Sequence, residues 1–272
     1  LVLVAAVFHA AWNAMLKAAE NPLALAARAA TFGTLLTLPP VAIAWLVLGR
    51  PGMPAGAWLL ALISGVLELL YFIALTSAYQ RGELSVVYPI ARGTAPLLAV
   101  GVGLIFLGER VHLAALVGIA CLLGGIWAIR RPVPASAALI PALITGVLIA
   151  TYSSVDRVGV RLAPPWLYGW LLWLFEAVFL LLYTRIVRVP GAGLRNDPGR
   201  SLLVGGLMTT TYFMILFALS VAPLAIVSPL RESAIVLVTA WGIWRLRERR
   251  GAWVRMAGAA VIVLGIALIA IR

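Results

Sequence analysis

The sequence predicts an all-α integral membrane protein, with ten transmembrane helices arranged as two inverted five-helix repeats. Three observations lead there: a composition too apolar for water, apolar runs of helix length, and an internal echo at fixed spacing. Hydrophobic residues make up 64% of the chain and charged residues 11%, and the mean hydropathy is +1.08. A soluble domain is about half apolar and about a quarter charged. This chain lacks the polar surface to cover itself, so its solvent is lipid.

Lipid offers the backbone no hydrogen-bond partners, so a span must be a helix or part of a closed barrel. The apolar runs here are about 18–25 residues long, which is helix length. They fall at roughly 1–19, 24–48, 57–79, 84–107, 112–130, 137–158, 165–187, 201–220, 223–245 and 252–271. Turn-forming residues separate them, including Asn21-Pro22, Arg50-Pro51-Gly52, Pro164-Pro165 and Asp197-Pro198-Gly199.

The echo is clearest between Ser85–Gly125 and Ala225–Gly265. A shift of 140 carries Pro89 to Pro229, Gly118 to Gly258 and Gly125 to Gly265. The charged stop Glu109-Arg110 maps onto Glu248-Arg249 at a shift of 139. Earlier in each copy, Trp12-Asn13 corresponds to Tyr152-Ser153, Lys17 to Arg157, and Gly65 to Gly205. Tyr71-Phe72 matches Tyr212-Phe213 with one inserted residue. Such an echo marks a duplication, giving repeats at 1–131 and 132–272. Five helices per copy is an odd number, so the second copy enters the membrane from the opposite side. That plan puts a binding site near mid-membrane, between the halves.

The net charge of +12 reflects Arg residues in short gaps between apolar runs, where they act as topology signals. No basic stripe with interleaved aromatics is present, so nucleic acid is not an expected partner. Most Lys and Arg lie in the loops after odd-numbered helices, which by the positive-inside rule puts both termini outside. The single cysteine, Cys121, excludes an internal disulfide. The chain opens in an apolar run without the layout of a signal peptide, so the first segment is expected to stay as a helix.

The opening HAAWNAMLK, the first-half YPIARGTAP followed by LGERVHLAALVG, and the second-half SPLRES followed by RERRGAWVRMAG resemble the EamA family of the drug/metabolite transporter superfamily. The resemblance runs over 1–272. It implies a ten-helix carrier of small metabolites in the bacterial inner membrane, often an exporter, with both termini in the cytoplasm. That topology is opposite to the charge bias. The second charged stop departs from the pattern as Arg247-Glu248-Arg249.

A charge at mid-bilayer is costly and normally faces a cavity or a partner. Glu68, Arg92, Glu176, Arg231 and Glu232 lie near the middle of their spans, with His9 near the middle of the first. Asp156, Arg157 and Arg28 lie nearer helix ends and are read as snorkelling or interfacial. Arg92 and Glu232 are related by the 140-residue shift, and the pair either grips a substrate with two opposite charges or holds the halves together. Tyr88 shares a face with Arg92 and Tyr71 with Glu68. His9, Asn13 and Lys17 share a face of the first helix. Glu176 has no polar neighbour at helical spacing.

Helices 1, 3, 4, 6, 8 and 9 are therefore expected to line a central cavity, with Trp12, Asn13, Glu68, Tyr71, Tyr88, Arg92, Tyr212 and Glu232 as its substrate-binding residues. Glu68, Glu232 and His9 are the candidates for proton coupling, because desolvation disfavours a carboxylate anion at the bilayer centre. Gly118, Gly125, Gly258 and Gly265 form a close-packing surface, within the chain or in a homodimer. No metal or cofactor is expected. An intramembrane enzyme is the rival class, but HExxH and GxSxG motifs are absent. A non-transporting structural subunit leaves the duplication unexplained. A secondary carrier for a small amino-acid-like or drug-like metabolite, working by alternating access, accounts for the features together.

Overall fold

The computed structural model describes residues 1–81, 84–129, 137–232 and 252–270. Within them the chain is helical and contains no strand. The helices are α1 (Val2–Lys17), α2 (Pro22–Val47), α3 (Ala55–Arg81), α4 (Leu84–Gly101), α5 (Leu113–Ile129), α6 (Leu139–Leu162), α7 (Pro165–Ile186), α8 (Pro198–Val221), α9 (Leu224–Arg231) and α10 (Ala252–Ala270). A π-helical turn, Val102–Phe106, continues α4. The expected ninth span leaves the described residues after Glu232, and the degraded charged stop at 247–249 lies outside them. The side chains of Tyr88 and Arg92 are also outside the description.

Local chemistry sets the starts. Asn21 Oδ1 accepts from the Ala24 amide at 3.1 Å and caps α2, while Pro22 occupies the first turn, where its missing N–H costs nothing. Asp197 does the same for α8, accepting from the Arg200 amide at 3.2 Å ahead of Pro198. Pro165 opens α7.

Among the described residues five helices, α2, α3, α6, α7 and α8, are long and apolar enough to cross a membrane. Shorter apolar segments occur at Val2–Lys17, Thr94–Phe106, Leu113–Gly125 and Met256–Ile269. Large apolar side chains point outward, among them Ile105, Phe106 and Leu113, each at least three-quarters exposed. With lipid as solvent these are the wetted surface rather than a defect. This is a helical membrane protein.

Small residues bring the helices together, as lipid-facing bundles require. Gly33 of α2 meets Gly205 of α8 so closely that a Cβ on Gly33 would lie 2.8 Å from the Gly205 carbonyl oxygen. A Cβ on Gly65 of α3 would lie 2.7 Å from Cβ of Phe175 on α7. The four spaced glycines meet across α5 and α10. A Cβ on Gly118 would lie 2.7 Å from the Gly265 oxygen, and one on Gly125 would lie 2.6 Å from the Gly258 oxygen. That seam is thus inside one chain, with α5 and α10 antiparallel.

The packing partners come in reciprocal sets. Helix α1 packs on α8 and α3 on α6; α2 packs on α8 and α3 on α7; α2 meets α7, α4 meets α9, and α5 meets α10. The site lies where the first two sets converge.

Candidate functional site: an aromatic cavity between the halves

Six helices contribute to one narrow cavity. Its wall holds His9 and Trp12 from α1, Glu68, Tyr71 and Phe72 from α3, and Tyr152 from α6. Trp173 of α7, Met208, Thr211 and Tyr212 of α8, and Arg231 of α9 complete it. Only about 20 Å³ is open to the centre of a water-sized sphere. That is room for a water molecule and not for a metabolite, so the cavity is narrow.

The wall is a chain of edge-on rings that runs from α3 through α6 and α8 to α7. Tyr71 and Tyr152 have centroids 5.6 Å apart, Tyr152 and Tyr212 6.0 Å, and Tyr212 and Trp173 6.4 Å. His9 lies edge-on to Trp12 at 4.5 Å. Such contacts favour the positive edge of one ring against the negative face of the next. The indole N–H groups of Trp12 and Trp173 are both buried and have no hydrogen-bond partner among the described residues. Buried donors are normally satisfied, so these two are available to a bound molecule.

Charge enters from opposite sides. Arg231 Nη1 donates to Ser153 Oγ at 3.0 Å, and its guanidinium lies over the Tyr212 ring at 5.9 Å. Glu68 is buried on the α3 side of the wall. Behind the rings lies Asp156, fully buried, accepting from Tyr168 Oη at 2.7 Å and from Tyr212 Oη. Tyr212 therefore belongs both to the cavity wall and to a buried carboxylate.

Of the expected site residues, Trp12, Glu68, Tyr71 and Tyr212 line the cavity, as does His9. Asn13 is buried off the lining, donating to the His9 carbonyl at 2.9 Å and accepting from Tyr79 Oη at 2.9 Å. Glu232 is buried at the C-terminal end of α9, outside the lining. The Arg92–Glu232 relationship rests on a side chain outside the described residues.

The snorkelling reading of Asp156 and Arg157 does not hold. Asp156 is enclosed by tyrosines, and Arg157 Nε contacts Glu109 Oε1 at 3.0 Å. A place near a helix end says nothing about which neighbouring helix covers it. Arg28 donates to Ser201 Oγ at 3.0 Å and to the Gly191 carbonyl, tying α2 to α8 and to the loop after α7. Glu176 is buried with Oε1 unpartnered among the described residues.

Sequence reasoning gave no cavity role to Phe72, Tyr152, Trp173, Met208 or Thr211, and marked Arg231 only as a mid-span charge that faces a cavity or a partner. Tyr152 was within reach, because the 140-residue shift maps Trp12 onto it. Met208 lies one helical turn from Tyr212 on the same face. Trp173 carried no signal, since its α7 neighbours are equally aromatic.

The apolar helices and the cavity among them can be set beside known proteins. Residues 1–131 match the EamA-like transporter family. This EamA-like match supports a transporter-type function in a membrane. One solved protein crystal structure aligns over 99% of this chain and 93% of its own, at 19% identity and a TM-score of 0.74. At that identity the likeness shows the fold alone. No curated protein matches the sequence.

Proposed function

We propose that this EamA-like protein is a secondary transporter, not an enzyme, exporting a small amino-acid-like or drug-like metabolite across the bacterial inner membrane by alternating access. The observation that carries the reading is the cavity itself, lined by aromatic and charged residues from both repeats and too small for substrate in this state. A carrier that works by alternating access narrows its central site between its two open forms.

Ten spans in two inverted repeats, 1–131 and 132–272, are part of the same proposal. The reciprocal packing supports it: the 140-residue shift turns α1 on α8 into α6 on α3 and α2 on α8 into α7 on α3, each again a contact between the halves. Gly118 opposes Gly265 while Gly125 opposes Gly258, the mutual pattern of a two-fold relation. Equivalent helices that run antiparallel require an axis perpendicular to them, hence in the membrane plane.

The lining favours a ligand with an apolar body, an acceptor-rich group for Arg231 and the two indole N–H groups, and a cationic group for Glu68. An amino acid or amine-bearing acid has that chemistry. The test is a thermal-shift screen of purified protein against amino acids and related amphipathic metabolites, followed by counterflow in proteoliposomes. Binding and counterflow of at least one such compound are expected. Absence of both across zwitterionic, cationic and anionic classes would overturn the reading.

A further inference from the structure

The charged stop after α4 reaches across the molecule. The π-helical turn ends at Leu107, Gly108 takes a left-handed conformation (φ +62°), and the Glu109 amide donates back to the Gly103 carbonyl at 2.9 Å. This reversal aims the Glu109 side chain at the start of α9 in the other half. There Pro223 has no side chain able to cap the helix. Glu109 supplies the cap: Oε1 accepts from the Leu224 amide at 2.8 Å and Oε2 from the Ala225 amide at 3.0 Å.

Arg157 of α6 completes the knot. Its Nε lies 3.0 Å from Glu109 Oε1, and its Nη1 donates to the Leu219 carbonyl at the end of α8. The ion pair is nearly buried, the Arg157 and Glu109 side chains being 9% and 4% exposed. Gly103 leaves the space, since a Cβ there would lie 2.5 Å from Glu109 Oε2. Seven residues separate Leu224 from Arg231, so the knot lies about 10 Å along the helix from the cavity. The other end of the bundle repeats one part of it. Lys17 Nζ donates to the Tyr79 carbonyl at 2.5 Å, and both residues map by the 140-residue shift onto Arg157 and Leu219.

We infer that Glu109, Arg157 and the N-terminus of α9 form the latch of a gate closing one end of the cavity, with Lys17 at the mirror-related gate at the other end. The inference rests on the transporter reading. Glu109 acts as a positioning residue: it joins the halves and holds the helix that carries Arg231. Releasing the carboxylate frees the first turn of α9 and opens the path on that side. Because the two gates are equivalent by sequence, weakening one favours the state open at its own end.

The test reads access directly and needs no substrate. In a Cys121→Ala background, Thr211→Cys puts a thiol on the cavity wall, and a membrane-impermeant maleimide is applied to each face separately. Glu109→Gln and Arg157→Gln should raise labelling from the Glu109 face by about tenfold, as a shift toward the open state requires. Lys17→Gln should raise it from the opposite face. Gly103→Ala keeps the carboxylate but displaces it, and should act like Glu109→Gln if the latter fails to fold. Unchanged labelling from the Glu109 face in folded Glu109→Gln or Gly103→Ala protein would overturn the latch. Normal gating without counterflow of any metabolite would leave the latch standing and sink the transporter reading instead.

Discussion

Tyr168 donates its hydroxyl hydrogen to Oδ1 of Asp156 at 2.7 Å, fastening α7 to α6 directly behind the cavity wall. The contact requires a bare backbone opposite the ring, and Gly159 provides it; a Cβ there would collide with the Tyr168 ring. Tyr168→Phe should cost roughly 1–3 kcal/mol, the value of a hydrogen bond to a charged or fully buried group. Gly159→Ala should cost at least as much by forcing the ring aside. Thermal unfolding in detergent measures both. A Tyr168→Phe protein as stable as the parent would show the bond to be dispensable.

The α5–α10 seam gives a packing prediction. Gly118→Ala and Gly265→Ala should each destabilise by about 1–3 kcal/mol, because the new methyl meets a backbone carbonyl that cannot move alone. The two glycines face each other, so separating the helices once accommodates both methyls. The double variant should therefore cost less than the sum of the singles. Strict additivity would mean that the helices yield independently.

In the cavity, Trp173→Phe removes one unpartnered indole N–H while keeping an aromatic wall. It should weaken binding of the transported compound by about tenfold with little change in folding, the effect of losing one hydrogen bond to a ligand. Arg231→Gln should lose binding of acidic or zwitterionic ligands and spare purely cationic ones. Isothermal titration in detergent distinguishes these outcomes from a general loss of fold, which would reassign Arg231 to a structural role.

Coupling to protons is expected to run through Glu68, which faces the cavity. Glu68→Gln should abolish uptake driven by an imposed pH gradient while preserving counterflow, since counterflow needs only the loaded carrier. Uptake that ignores reversal of the gradient and survives Glu68→Gln would identify a facilitator.

Composition and periodicity alone determined that this chain lives in lipid as helices, because 64% apolar residues leave no other solvent. They also pointed to Trp12, Glu68, Tyr71, Tyr212 and His9 as residues of interest, since a polar or aromatic group inside an apolar run must face something other than lipid. What a residue faces depends on which helices meet, and that is a long-range property. Asp156 seemed to sit at an end until α7 and α8 enclosed it with Tyr168 and Tyr212. Asn13 kept its predicted helix but turned toward Tyr79. The glycine spacing was visible in each copy, yet only the tertiary structure paired Gly118 with Gly265 across an antiparallel seam. Glu109 read as a turn in a charged stop, and its partners stand 48 and 115 residues away. A one-dimensional pattern records where the chain must leave lipid, while packing of the helices decides which buried groups satisfy one another.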